Sequence, residues 1–364
     1  MSGEIARLLI VRLGSMGDIV HTLPAVAMLR RAYPGATIGW AVERRWAELL
    51  SSGGASPEKA LVDAVHTVDT FGWRSAVFSG ETWREFRDAL GQLRAARYDV
   101  AIDFQGAWKS AILAQLSGAP RRVGYRQPRE KPATLFYTQQ VAARGHHIVE
   151  QNLSLAEEVC GAPGSKTRAT QRTAPHDGSC FPLPHDAAAE RAIEQQLHAH
   201  GLHRFALINP GAGWGAKCWP AGRYAEVARA LAVHGLRSIV NFGPGEEQLA
   251  RDVERAAGGV ALAMSTTVGE LIALCRRARI CIGGDTGPLH LAAAVGVPVV
   301  ALYGPTDPAR SGPYGDRAIV LRSERSRTTT AHRKDPEAGL LEITAVEAIA
   351  AARHLLAQIA KAGR

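Results

Sequence analysis

Four stretches of this sequence set carboxylates, a lysine and glycines at spacings that phosphate and sugar chemistry can use. The first is Gly14-Ser15-Met16-Gly17-Asp18, whose glycines permit a tight turn and close backbone approach. Asp18 has two compatible readings, a helix N-cap or a general base. His21, three residues on, shares its helix side and reads as a solvated polar residue. The second is Asn209-Pro-Gly-Ala-Gly-Trp-Gly-Ala-Lys217-Cys-Trp-Pro220, in which backbone amides can wrap phosphates and Lys217 adds a point charge, or is simply a surface lysine. The order of a P-loop is missing. The third is Gly283-Gly-Asp285-Thr286-Gly287-Pro288-Leu-His290, where the helix opening at Pro288 presents its positive end to a phosphate. Asp285 would repel that phosphate if it pointed inward, so it is expected to hold backbone amides, bond sugar hydroxyls or cap the helix. The fourth, Gly243-Pro-Gly-Glu246-Glu247, offers a carboxylate to a ribose, or two ordinary first-turn glutamates.

These motifs need strand ends to carry them. Leu8 to Leu13 is an apolar run followed by the first motif and a helical stretch, Ile19 to Ala32. Thr37 to Val42 and Tyr98 to Phe104 read as further strands. The segment from Gly161 to Asp186 is rich in Gly, Pro, Ser, Thr and His, and reads as a linker. The βα rhythm then restarts: helix Ala187 to His200, strand Phe205 to Asn209, helix from Pro220, strand Ser238 to Phe242, helix from Glu246, strand Ile280 to Ile282, helix from Pro288, strand Val299 to Tyr303. Arg322 to Lys334 reads as a flexible loop and Ala345 to Ala360 as a last helix. The expectation is two α/β domains, 1–178 and 179–344, each a doubly wound parallel sheet, with a ligand cleft at the carboxyl ends of the strands. A terminal helix, about 345–364, is allowed to pack back on the first domain.

With 364 residues, 46% hydrophobic and 21% charged, the chain is a globular protein long enough for two cores. No segment near the N-terminus reads as a membrane span or a signal peptide, so a cytoplasmic location is expected. Cys160, Cys180, Cys218, Cys275 and Cys281 show no C-x-x-C pairing, which argues against a zinc site or a disulfide framework. The net charge of +9 points to an anionic partner, yet no nucleic-acid module is present. A phosphorylated lipid head group is the other candidate, although many basic clusters are just solvated faces. An NAD-type reading would use Glu43 on the ribose, but G-x-G-x-x-G is absent.

Taken together, Leu9-Ile-Val-Arg-Leu-Gly-Ser-Met-Gly-Asp18-Ile-Val-His-Thr-Leu-Pro-Ala25, Lys217-Cys-Trp-Pro220, Gly284-Asp-Thr-Gly-Pro-Leu-His290 and Leu302-Tyr-Gly-Pro-Thr-Asp-Pro308 resemble glycosyltransferase family 9, the ADP-heptose:lipopolysaccharide heptosyltransferases. The resemblance spans essentially the whole chain. Phe78-Ser, Tyr98 to Gly106, Lys109-Ser-Ala111, Leu135-Phe-Tyr137 and His146-His-Ile148 resemble heptosyltransferase I more than II. The resemblance implies a GT-B fold of two facing Rossmann-like domains, inversion at the anomeric carbon, no metal or other cofactor, and ADP-L-glycero-D-manno-heptose as donor. It matches Asp18 to the catalytic base and Lys217 to the lysine on the donor phosphates. It matches Asp285, Thr286, Gly287 and His290 to the donor segment and Glu247, or its neighbour Glu246, to the ribose acid. Thr266 stands where the family has a Met near the adenine, and Ala212-Gly213 where heptosyltransferase I has two threonines.

On the acceptor side the resemblance implies Ser15, Gly17, Arg74 and Arg129 beside a Kdo-lipid A head group. Phe71 stands where another arginine is expected, and Lys131 is inserted before Pro132. The implied setting is peripheral, at the cytoplasmic face of the inner membrane, with no transmembrane segment. The absence of a D-x-D pair agrees with metal-free transfer, in which Lys217 and amides meet the leaving diphosphate. Two other readings use the same fold: a nucleotide-sugar epimerase, and a nucleotide-sugar-binding protein in which Asp18 only caps a helix.

Overall fold

The computed structural model describes residues 5–51, 61–70, 72, 79–161, 181–329, 331 and 333–362. Among these, residues 5–161 and 181–184 form one compact unit, and a second begins at His185. Phe181 to Pro184 therefore group with the first unit, while the expected boundary at 178/179 lies outside the described residues.

The first unit holds strands β1 Arg7–Val11, β2 Thr37–Glu43, β3 Ala64–Val68, β4 Val100–Asp103, β5 Arg121–Tyr125 and β6 Gln139–Val141. Its helices are α1 Met16–Ala32, α2 Gly80–Ala95, α3 Trp108–Leu116 and α4 Ile148–Val159. The second holds β7 Phe205–Asn209, β8 Arg237–Phe242, β9 Ala261–Ser265, β10 Ile280–Gly284, β11 Val299–Tyr303 and β12 Ala318–Arg322. Its helices are α5 Ala187–Ala199, α6 Ala221–Ala232, α7 Glu247–Ala257, α8 Val268–Arg277, α9 Gly287–Ala294, the short α10 Pro308–Ser311 and α11 Ala338–Glu342, and α12 Ala345–Ala362.

Both sheets are parallel, and their strand orders, β3-β2-β1-β4-β5-β6 and β12-β11-β10-β7-β8-β9, are the same doubly wound pattern. Strands β1 and β7 are continuous apolar runs because helices cover both faces, so alternation would leave polar groups dry. In this topology the order reverses between β1 and β4, and again between β7 and β10. Ligands bind such sheets beyond the carboxyl ends at the reversal. That is where Arg12 to Asp18, Asn209 to Lys217 and Asp285 to His290 lie.

Several sequence expectations change. Strands β3, β5, β6, β9 and β12, and helices α2, α4 and α8, were not foreseen; β3 and β5 carry half-exposed and charged residues, which hide a strand from a hydrophobicity reading. Asp18 is not the N-cap of α1. Ser15 is, and Asp18 sits three residues inside as the reciprocal partner of a capping box. His21 is buried, edge-on to His147 with ring centroids 5.4 Å apart, because α1 packs along α4. The stretch after Arg322 is not a free loop where it is described. Arg333 O accepts the amide of Ala216 at 3.1 Å, and the Glu337 amide donates to Ala216 O at 3.1 Å. A Cβ on Gly215 would strike the Lys334 carbonyl, so glycine is needed for that approach. Finally, α12 sends Ala348, Ala352 and Leu355 into the core of the second unit, against α6 and strands β10 to β12.

Candidate active site

In the first unit, β1 delivers Arg12 into the interior beside the turn that starts α1. Its guanidinium bonds the Phe104 carbonyl at the end of β4 and pairs with Asp18 Oδ1 at 2.5 Å. The other carboxylate oxygen, Oδ2, accepts the Ser15 amide at 3.0 Å and the Ser15 hydroxyl at 3.2 Å. Arg12 has only 6% of its side chain exposed, against 37% for Asp18. The result is a carboxylate anchored from behind with one side open. Gln105 Oε1 accepts the Leu13 amide at 2.9 Å, tying the β4 turn to the same loop.

That β4 turn is itself held by a buried acid. Asp103 accepts the amides of Gln105 and Gly106 and the hydroxyls of Ser110 and Tyr137 at 2.7–3.1 Å. Burial pushes its carboxyl above the ordinary range although those four donors pull it down. Glu43, considered above as a ribose acid, is also buried and accepts the Thr70 amide and hydroxyl. It pins the segment that carries Thr70.

In the second unit, Asp285 is the hub. Its Oδ2 takes Lys217 Nζ at 2.6 Å, while Oδ1 lies 3.0 Å from His290 Nε2 and 3.1 Å from the Tyr303 hydroxyl. Burial pushes this carboxyl up, but His290 first and Lys217 second outweigh that and hold it well below the usual carboxylate range. So Asp285 neither caps α9 nor holds amides, two of the three roles expected of it. Its charge is turned onto Lys217 and His290, which removes the repulsion it would otherwise direct at a phosphate. Lys217 is no loose surface lysine: 15% of its side chain is exposed, and Nζ lies 5.3 Å from the Trp214 ring centre. The N-cap of α9 is Thr286, whose hydroxyl bonds Gly284 O at 3.3 Å and leaves the helix amides uncapped by any side chain. An uncapped N-terminus beside an ammonium has the polarity to receive an anion.

The remaining strand ends complete the second half. Thr266 Oγ donates to Asn241 Oδ1 at 2.7 Å, Asn241 Nδ2 to Asn209 Oδ1 at 3.1 Å, and Asn209 Nδ2 to Cys281 Sγ at 3.4 Å. This ladder joins the carboxyl ends of β9, β8 and β7 and runs back to Cys281, near the start of β10. Glu246 accepts the Gly243 amide at 3.0 Å and lies so close to Gly211 that a Cβ there would collide with it.

The pattern that defines "Glycosyltransferase family 9 (heptosyltransferase)" matches residues 87–341. Lipopolysaccharide heptosyltransferase 1 of Escherichia coli (strain K12) is 31% identical over 323 residues, covering 88% of this chain and 94% of that protein. This chain belongs to glycosyltransferase family 9. The corresponding protein of Pseudomonas aeruginosa is 31% identical over 331 residues, covering 87% of this chain and 84% of its own. Among solved structures, E. coli heptosyltransferase WaaC with ADP is similar with a TM-score of 0.75 and 27% identity, over 96% of this chain and 99% of that one. The two parallel sheets with flanking helices are thus those of the heptosyltransferase GT-B fold.

Within this family member, the structure gathers Lys217, Asp285, Thr286, Gly287 and His290 at one switch point, with Ala212 and Gly213 on the adjoining loop. Ser15, Gly17 and Asp18 share the other. Glu247 is not turned to the loop: it is 59% exposed and paired with Arg251 at 2.8 Å, one helical turn on. Glu246 occupies the inner position. Arg129 is exposed beside Gly106, whereas Arg74 and Phe71 lie outside the described residues. Sequence reasoning missed Arg12, Gln105, Asn241 and Tyr303. Each is a polar group closing an apolar strand or in the turn just beyond it, and that position was the available signal.

Proposed function

We propose that this enzyme moves heptose from ADP-L-glycero-D-manno-heptose to a Kdo-lipid A type acceptor in lipopolysaccharide inner-core synthesis, working peripherally at the cytoplasmic face of the inner membrane. The observation that carries the reading is the buried Lys217–Asp285–His290 cluster beside the uncapped start of α9. In support, a relative 28% identical over 96% of this chain, WaaC, has been solved with ADP-2-deoxy-2-fluoro heptose.

In this mechanism Asp18 accepts the proton of the acceptor hydroxyl as its oxygen bonds to the anomeric carbon. The bond from that carbon to the ADP phosphate oxygen breaks on the opposite side, so configuration inverts. Charge gathers on the leaving diphosphate. Lys217 and the first amides of α9 meet it, without the reorganisation that water would need. A lysine ammonium has three N–H bonds, of which Asp285 takes two through Oδ2 and its carbonyl. Glu246 is assigned the ribose hydroxyls and Thr266 the vicinity of the adenine. Ser15, Gly17 and Arg129 are assigned to the acceptor.

Transfer is assigned to these groups without a divalent ion. Incubation with ADP-heptose and Kdo-lipid A, read by mass spectrometry, should give the acceptor plus one heptose, at the same rate in EDTA. Loss of product in EDTA with recovery at stoichiometric Mg²⁺ would sink the metal-free assignment. Donor breakdown without acceptor would favour epimerase chemistry instead.

Arg12 gives a second expectation. Because it holds Asp18 from behind, Arg12→Met should cut turnover about a hundredfold, the cost of misplacing a reacting group by about 1 Å. ADP affinity should not change, and Arg12→Lys should recover part of the loss. Steady-state kinetics beside calorimetry with ADP checks this; unchanged kcat in Arg12→Met would leave the arginine a purely structural role.

A further inference from the structure

One rim of the first unit carries apolar side chains that its core does not use. Trp108, the first residue of α3, is 50% exposed, and Leu135 is 83% exposed. Leu135 sits in the 3-10 turn Lys131–Phe136, which packs on α3 through Ala111, Ala133, Phe136 and Tyr137. In a 3-10 turn, residues three apart eclipse. Ala133 and Phe136 therefore face α3 together, and Pro132 and Leu135 face outward together, both exposed. Glu130 joins this turn to Trp108: its Oε2 accepts the Trp108 amide at 2.9 Å, and its own amide donates to Gly106 O at 3.0 Å.

Arg126, Arg129 and Lys131, in the segment that runs from the end of β5 into this turn, are all exposed. Their side chains make no hydrogen bond or ion pair among the described residues. The same rim is continuous with the Asp18 loop, because Phe104 O and Gln105, at the start of this turn region, bond Arg12 and Leu13.

An exposed tryptophan and leucine on a rim whose adjoining segment carries three exposed, unengaged cations match the chemistry of an anionic bilayer surface, where indole rings settle at headgroup depth and basic residues meet lipid phosphates. We propose that Trp108, Pro132 and Leu135, flanked by Arg126, Arg129 and Lys131, form the face by which the enzyme docks on an anionic phospholipid bilayer. This rests on the lipid-linked acceptor of the preceding subsection. It adds what that reading lacks, an apolar wedge at the acceptor rim that enters the headgroup layer while the cations hold it there.

The test is co-sedimentation with vesicles of phosphatidylglycerol in phosphatidylcholine, and of phosphatidylcholine alone. Binding should favour the anionic vesicles and fall in 1 M salt, where the screening length is about 3 Å. Removing each cation should weaken partitioning about fivefold, so Arg126→Ala with Lys131→Ala should cost about 25-fold. Trp108→Ser with Leu135→Ser should lower partitioning at least tenfold. Brominated lipid should quench the fluorescence of the wild-type protein more than that of Trp108→Phe.

The Trp108→Ser/Leu135→Ser protein should keep its turnover on a deacylated, water-soluble acceptor, which also reports that it is folded, and should show a raised KM on acceptor embedded in vesicles. Equal partitioning of wild type and both double variants would overturn the docking face, as would equal binding to neutral and anionic vesicles. If no acceptor of either form is glycosylated, the acceptor reading fails, while the sedimentation and quenching results still decide the face.

Discussion

Asp18→Asn is expected to lower turnover by about two to four decades, the range for loss of a general base. The substitution is a narrow one. An asparagine keeps the side-chain oxygen that accepts the Ser15 amide, so the start of α1 stays closed, but it cannot take a proton from the acceptor hydroxyl. ADP affinity should be preserved, since the groups assigned to the donor lie in the second unit, while the protein should fold with a somewhat lower melt, because the amide nitrogen then faces the Arg12 guanidinium that Asp18 Oδ1 pairs with. The measurement is kcat with saturating donor and acceptor, beside an ADP titration and a thermal melt. Turnover near that of the wild type would remove Asp18 from the chemistry and leave it as the capping partner of Ser15. If the melt alone moved, the non-catalytic reading would gain.

Lys217→Ala should cost about two to three decades in turnover, as expected when a preorganised positive group aimed at developing charge is removed. ADP binding should weaken as well. The ammonium is lost, and Asp285 keeps its negative charge with only His290 and Tyr303 around it, next to the anion. Equal ADP affinity in calorimetry would defeat the assignment of the lysine to the diphosphate. The same titration separates Glu246 from Glu247, because only Glu246→Gln should weaken ADP.

Asp285 adds a dependence on pH. Its folded value is held below that of an unfolded chain, near 3.9, so the stability it contributes is present above that value and drains away as pH falls through about 4 and lower. Asp285→Asn should therefore be less stable than wild type at pH 7, by about 3 kcal/mol for breaking a buried pair. The gap should narrow in acid. A constant gap from pH 7 to pH 3 in denaturant titrations would show that the loss is one of packing and not of charge.

The two-unit α/β architecture was legible because it depends on local signals. Phe205 to Asn209 and Val299 to Tyr303 are apolar runs of strand length with turn residues on either side, and their observed bounds match the reading residue for residue. The glycine-rich loops and the Pro288 helix start were likewise visible, since the backbone demands those residue types wherever the chain turns sharply or a helix begins. Motifs at the ends of such strands marked the regions of the site.

What each side chain does there was decided only by folding. Asp18 and Arg12 are six residues apart in the chain, and a strand, a turn and a helix start must be placed before the guanidinium can reach the carboxylate and the Phe104 carbonyl together. Lys217 and Asp285 are 68 positions apart and meet because β7 and β10 are neighbours across the point where the strand order reverses. The choice between Glu246 and Glu247 turned on one step around a helix, which sends one carboxylate toward Gly211 and Gly243 and the other to Arg251. Periodicity and residue type are properties of a short stretch, so the sequence determined the apolar strands and the strand ends that carry the candidate residues. Partner choice depends on which distant strands become adjacent and on which way a side chain leaves its helix, so the tertiary structure determined the ion pairs, the burial of His21 and the pairing of Arg333 and Glu337 with Ala216 in the Lys217 loop.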